Sequence, residues 1–360
     1  MTVYIVDLES IQTRYTCEWK THLPKLIHAN GHNVVVISGP DDLPNNTTPG
    51  MFLNFSATNI YKAAQVEKIS RLFSDNKIKD GDYFLFTDAW HPGVINLKYM
   101  AELLGVKIKI GGCWHSGSYD SQDGLGRLIG DKPWVRYAER SFFWAIDHNY
   151  FATDFHIDLF TGVFGPEDAK SDWKDLCVEQ KKIVRTGWPM EYMTNTMAPY
   201  GGMEKRDLIV FPHRIAPEKQ VEIFRDLKEQ LPEYEFVVCQ DSQLTKNEYH
   251  NILGEAKMVF SASKQETLGI GCYEGMLVDA IPMVPDRLSY TEMYCENFKY
   301  PSEWTTDWAA YLAHRDDLKQ YIRVRMDHYK KYLPQLRDNT LELGEQFFSA
   351  NGLLANLNEE

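Results

Sequence analysis

Glu266 and Glu274 stand eight positions apart in SASKQETLGIGCYEGM (261–276), on either side of a link that holds Gly269 and Gly271. The preceding run AKMVFSAS (256–263) reads as a strand whose end delivers Gln265, Glu266 and Thr267, and Leu268, Gly269 and Ile270 then open a helix. Backbone amides uncovered by glycine at such an opening suit a diphosphate. Glu274, two turns or less into the helix, can accept two hydroxyls of a ribose, while Glu266 faces the next portion of a bound nucleotide sugar. Two solvated glutamates beside a capped helix fit the same spacing.

A second stretch, DLIVFPHRIAPEKQ, brings Arg214 and Lys219 to the end of another strand, with Pro217 where a helix is expected to begin. Helix starts favour anions, so cations there point to a bound anion. Two cations can neutralise the charge that develops on a diphosphate leaving group. Ligands of open α/β sheets lie outside the carboxyl ends of strands, and both stretches are placed there.

Together these stretches resemble the retaining nucleotide-sugar glycosyltransferases of the GT-B fold, in particular family four. The resemblance rests on the E-x7-E of ETLGIGCYEGM and on HRIAPEKQ, similar to that family's GR-x-x-x-x-K with His213 in place of its glycine. VDAIPMVPDRLSYTEMY adds a small-residue strand, a loop and the matching acid Glu292, so the likeness spans roughly 205–295. It implies a nucleoside-diphosphate sugar bound by Arg214, Lys219, Glu266, Thr267, Leu268, Gly269, Ile270 and Glu274. It implies a catalytic set of His115, Glu266, Arg214 and Lys219, with front-face attack, retention, and the departing phosphate taking the acceptor proton. No metal and no other cofactor is expected.

In the first half, His115 and Asp120 follow the strand expected over VKIKIGG (106–112), and His115 falls where the family carries a histidine that approaches the donor sugar. Asp88, Trp90 and His91 follow DYFLFTD (82–88), where Trp offers a stacking face to a sugar or base. With Tyr119 and Asp120 they form the candidate acceptor set; a surface loop with a core Trp reads equally from these residues. Asp88, His91 and His115 show no metal-ligand spacing. DLESIQTRYTCEWKTH lacks the glycine pair the family commonly carries after its first strand, which points to a specialised acceptor pocket using Arg14, Tyr15, Glu18 and His22.

The elements that must hold these residues alternate. VYIVD (3–7), NVVVISG (33–39), MFLNF (51–55), DYFLFTD and VKIKIGG read as strands, with helices after the first strand, near 58–74 and near 94–104. DLIVF (207–211), YEFVVC (234–239), AKMVFSAS and IPMV (281–284) form a second set, with helices over about 217–230, near 245–254 and from Gly269, and further helices after 303. The expected fold is α/β, two facing Rossmann-like domains with C-terminal helices crossing back to the first. The boundaries are 1–170 for the acceptor domain, 171–190 for a linker and 191–360 for the donor domain.

At 360 residues, 44% apolar and 25% charged, the chain can bury two cores. Its net charge of −13 opposes long-range attraction to nucleic acid. Basic residues nevertheless interleave with aromatics around GDKPWVRYAERSFFW, as in a strand-binding surface or an amphipathic helix with solvated charges. Six scattered cysteines, an opening that reads as a strand and no long apolar run place the chain in a cytoplasm, that of a host if phage-encoded, with no membrane partner. The lead acceptor is a hydroxylated or hydroxymethylated pyrimidine in DNA, as in bacteriophage DNA-modifying glycosyltransferases. A glycan or small metabolite, a sugar-nucleotide epimerase and an inactive binding protein on the same fold are the alternatives.

Overall fold

The computed structural model describes residues 1–9, 15–44, 46, 53–130, 132–164, 172–242 and 244–359. They form two units, Met1–Pro189 with Ala350–Glu360, and Met190–Ser349. The first carries β1 (Thr2–Val6), β2 (Asn33–Ile37), β3 (Tyr83–Phe86), β4 (Lys109–Cys113), β5 (His148–Phe151) and β6 (Ile183–Arg185). They pair in the order β2-β1-β3-β4-β5-β6, parallel throughout. The second unit carries β7 (Arg206–Phe211), β8 (Glu235–Val238), β9 (Ala256–Phe260), β10 (Ile281–Pro285) and β11 (Lys299–Tyr300). Its order is β11-β10-β9-β7-β8, again parallel.

In each sheet the first strand lies between the second and the third. The chain winds one way from it, then the other, so the winding reverses between β1 and β3 and between β7 and β9. Loops leaving the carboxyl ends of such a pair diverge to opposite faces and leave a crevice for a ligand. Residues 7–9 and 87–92 border one crevice, and residues 212–220 and 261–269 border the other.

Strands covered on both faces must be apolar on both. YFLF of β3 and IPMVP of β10 are buried at every residue. Phe84, Phe86, Trp114, Phe151 and Phe160 centre the first core, and Phe211, Phe224, Phe260 and Tyr300 centre the second. The closing helix Asn351–Asn358 belongs to the first unit, as expected. Tyr150 donates to Asn356 Oδ1 at 2.6 Å, and Asn30 Nδ2 donates to Asn358 Oδ1 at 2.9 Å.

Of the strand expected over 51–55, residues 51 and 52 lie outside the described residues, and Phe55 instead opens the helix Phe55–Ser74 because Asn54 caps it, its side chain accepting from the Ala57 amide at 3.1 Å. The helix expected from 217 begins at Val221 instead. Gln220 sits at φ +52°, which ends the short 3-10 turn Pro217–Lys219 before the α-helix starts. No helix among the described residues is long and apolar enough to cross a membrane.

Candidate functional site

Gln220 controls the crevice between β7 and β9. A left-handed conformation costs a non-glycine residue about 1–2 kcal/mol. Side-chain bonds hold it: Gln220 Nε2 donates to Ala262 O at 2.6 Å and to Thr305 O at 2.7 Å. The turn before it directs the Lys219 ammonium to Gln265 O at 2.5 Å and Glu266 Oε2 at 2.9 Å. The pair is largely buried. Burial alone would raise the Glu266 carboxyl, but the Lys219 charge and hydrogen bond, with the Gly269 backbone, hold it below the usual carboxylate range.

Arg214 forms an ion pair with Glu218, which is buried, while its own side chain remains 41% exposed. Glu218 engages the guanidinium nitrogen Nη2, and a guanidinium carries five N–H donors in all. His213 is buried between strand and loop. Burial, followed by the Lys219 charge, drives its imidazole down to about 3, so the ring is neutral, and its Nε2 has no hydrogen-bond partner. A neutral polar ring beside a Lys–Glu pair adds no charge to an anion site.

Gly269 has φ +75°, and a Cβ there would meet Tyr290 Cε1 at 2.8 Å. Glycine is therefore required both by conformation and by contact. The helix Ile270–Met276 follows, with Gly271 lying close to Pro212 of the loop after β7. The Leu268 side chain is buried, leaving only its backbone for a ligand. Glu274 accepts from the Tyr249 hydroxyl at 2.7 Å, and His250 Nε2 lies 3.9 Å away, beyond hydrogen-bond reach. Tyr249 and Gln240, whose side-chain oxygen accepts from the Ile215 amide, were not among the expected residues. Neither carries a local motif, and each acts across more than twenty positions of chain.

The crevice of the first unit opens on a cavity of about 600 Å³ lined by Glu9, Tyr15, Lys62, Asp88, His115 and Trp90, and by apolar Leu8, Phe55, Leu125, Leu128, Ile129 and Trp134. Lys62 Nζ donates to Asp88 Oδ2 at 2.7 Å, and the Trp90 amide donates to Oδ1 at 3.0 Å. Burial opposes the Asp88 charge, but Lys62 outweighs it and holds the carboxyl below its ordinary range. His115 Nε2 donates to Thr87 O at 2.6 Å. Its Nδ1 lies 2.5 Å from the Tyr15 hydroxyl, so the ring bridges the loop after β3 and the cavity wall.

The cavity brings together Tyr15, Asp88, Trp90 and His115 of the expected residues, but not His91, Tyr119 or Asp120. His91 is buried, accepting from the Gly93 amide at 2.8 Å and bonded to Gln65 Oε1 at 3.0 Å. Tyr119 is buried against His156, its hydroxyl 2.6 Å from Nε2. Asp120 Oδ1 accepts from the Gln122 amide at 2.9 Å, closing a turn. Polar side chains after a strand satisfy backbone amides as readily as they meet ligands; His91 and Asp120 each accept from one, while Tyr119 bonds a histidine side chain. Arg14 lies outside the described residues, and Glu18 and His22 lie on the helix Tyr15–Ala29. No cluster of three His, Cys, Asp or Glu suited to a metal occurs among the described residues.

No protein-family model matches the chain, and no curated protein does. Solved structures do match. Sucrose-phosphate synthase from Thermosynechococcus elongatus superposes with a TM-score of 0.61 at 10% identity, over 100% of this chain and 98% of that one. The catalytic domain of starch synthase IV from Arabidopsis thaliana, bound to ADP and acarbose, gives 0.58 at 11% identity over 99% and 98%. A glycosyltransferase from Rickettsia africae gives 0.58 at 12% identity over 99% and 96%. Likeness at this identity establishes the fold: two parallel-sheet Rossmann-like units, as in GT-B glycosyltransferases.

Proposed function

We propose that this protein transfers a sugar from a nucleoside-diphosphate donor, held by the second unit, to an acceptor hydroxyl held by the first, with retention of configuration. The observation that carries the reading is the buried Lys219–Glu266 pair at the β7/β9 crevice, with Arg214 presenting donors beside it. Such a site can accept a diphosphate and place a carboxylate against the attached sugar. The GT-B fold of the solved relatives supports it.

In this reaction the bond from C1 to the diphosphate oxygen breaks and a bond from C1 to the acceptor oxygen forms on the same face. The acceptor proton passes to the departing diphosphate, which leaves as nucleoside diphosphate. Arg214 and Lys219 stabilise the charge that accumulates on it, a task that requires no metal, so the rate is expected to withstand EDTA. Glu274 holds the ribose. The acceptor we put forward is a hydroxylated or hydroxymethylated pyrimidine in DNA, supported by the aromatic and apolar lining of the first unit's cavity, which suits a flat ring.

The test is to incubate the protein with UDP-, GDP- and ADP-sugars, with and without hydroxymethylated DNA, measuring released diphosphate and the anomeric configuration of the product by NMR. Acceptor-dependent release with retention supports the reading. An inverted product removes the front-face mechanism, conversion of the sugar nucleotide without acceptor makes the protein an epimerase, and absence of binding and release with every donor overturns the reading.

A further inference from the structure

The helix Pro133–Ala145 leaves three large aromatics in solvent: Trp134 at 56% exposure, Tyr137 at 67% and Trp144 at 60%. Positions 134, 137, 141 and 144 fall on one helical face, since residues three, four and seven apart align. The opposite face, with Val135, Phe142 and Phe143, is buried in the core. The core therefore does not account for the outer stripe. Contiguous exposed aromatics of this size mark an interaction surface rather than ordinary surface scatter.

Charge selects the partner. Lys132 and Arg136 lie in the first turns of this helix, and its one acid, Glu139, is turned inward and fully buried, while Lys182, 5.5 Å from the centroid of the Trp144 ring, is tied to the carbonyls of Trp144 and Ile146. A basic, aromatic surface on a chain of net charge −13 is a local feature and favours an anionic partner with flat, stackable groups. Position narrows it further. Trp134 belongs both to this stripe and to the wall of the first unit's cavity, so the stripe begins where the acceptor ring would enter. At 1.5 Å per residue, Trp134 to Tyr137 spans about 4.5 Å and Tyr137 to Trp144 about 10.5 Å, matching a strand of a few unstacked nucleotides.

We infer that the stripe Trp134–Tyr137–Trp144 is a track for single-stranded nucleic acid, stacking the bases that flank an acceptor base in the cavity while Lys132 and Arg136 face its phosphates. This rests on the proposed glycosyl transfer to a base in DNA. The aromatics supply contact that tolerates any sequence, because every base has a π-face, and the cations supply salt-dependent affinity.

The test is binding of a fluorescent single-stranded oligodeoxynucleotide of about ten nucleotides, a length within the range one such site covers. Tyr137→Ala and Trp144→Ala are each expected to weaken it about tenfold, and Tyr137→Phe and Trp144→Phe to restore it, with unchanged thermal midpoints. Lys132→Gln is expected to lower the slope of log K against log salt by about 0.7, as for one phosphate lost from a single strand. Equal binding by the alanine variants overturns the inference. So does binding to phosphatidylglycerol vesicles without binding to the oligonucleotide, which would make the stripe a lipid-facing surface. Release of diphosphate from a nucleotide sugar onto a small acceptor, with no oligonucleotide bound, would sink the track and leave the transferase reading standing. Oligonucleotide binding with no donor turned over would do the reverse.

Discussion

Lys219 and Glu266 stand 47 residues apart in sequence and 2.9 Å apart in space, joining the loop after β7 to the loop after β9. The ammonium also donates to Gln265 O, so the pair closes both sides of the crevice with one hydrogen-bonded unit. In the proposed reaction a diphosphate at this site would share Lys219 with Glu266, which would keep the carboxylate adjacent to the leaving group.

Removing one partner of a largely buried pair leaves the other uncompensated, at a cost of about 3–5 kcal/mol. Lys219→Ala and Glu266→Ala are each expected to lose that much stability in urea unfolding and to lose diphosphate release. The double change Lys219→Met with Glu266→Leu should recover most of the stability without any activity. Additive losses in the double variant Lys219→Ala with Glu266→Ala, compared with the two single alanine changes, would show that the two side chains are not energetically coupled.

Gly269→Ala should cost about 1–2 kcal/mol for the left-handed backbone, and more for the Cβ that meets the Tyr290 ring. Because this loop carries Glu266, nucleotide-sugar affinity should fall with it. Thermal unfolding and calorimetric titration with the donor measure the two effects. A variant with wild-type melting would place the ring of Tyr290 elsewhere.

Candidate residues near one another in sequence were the ones that could be singled out there. The segments ETLGIGCYEGM and HRIAPEKQ drew attention because each carries its candidate residues within fourteen positions of a strand end. Long-range partners left no such mark: Lys62 for Asp88, Tyr249 for Glu274 and Gln220 for Thr305 are set by topology alone. At Phe55 the expected strand gives way to a helix because Asn54 caps it, a local rule that overrides a short apolar run. β5, with sequence HNYF, was missed because a four-residue strand bearing His and Asn shows no alternation, although all four residues are buried.

Acid should act through Glu266 and Asp88. Burial opposes both charges, but Lys219 and Lys62 respectively hold both carboxyls below their ordinary values when folded. The unfolded chain therefore binds these protons more readily. The stability they confer is present above about pH 4.5 and is lost as the pH falls through the lowered folded values. Urea midpoints between pH 6 and pH 3 should drop more steeply for the natural chain than for Glu266→Gln or Asp88→Asn. Parallel curves would mean that neither carboxylate is paired in solution.

Glu274 provides the sharpest division between binding and chemistry at the donor site. Its Oε2 is fixed by the Tyr249 hydroxyl at 2.7 Å, which aims the carboxylate without neutralising it. A carboxylate that holds a ribose makes the same contact in ground state and transition state, so its loss should raise KM and leave kcat nearly unchanged. Glu274→Ala is expected to raise the donor KM about tenfold or more, the loss of one charge-assisted hydrogen bond of about 1.5–3 kcal/mol. Tyr249→Phe, which keeps the charge and loosens only its aim, should raise KM by a factor of about two to five. Steady-state kinetics of diphosphate release against donor concentration separate the cases. A fall in kcat at constant KM for Glu274→Ala would move this carboxylate from the ribose to the reacting centre and leave Glu266 as the residue whose role must be reassigned.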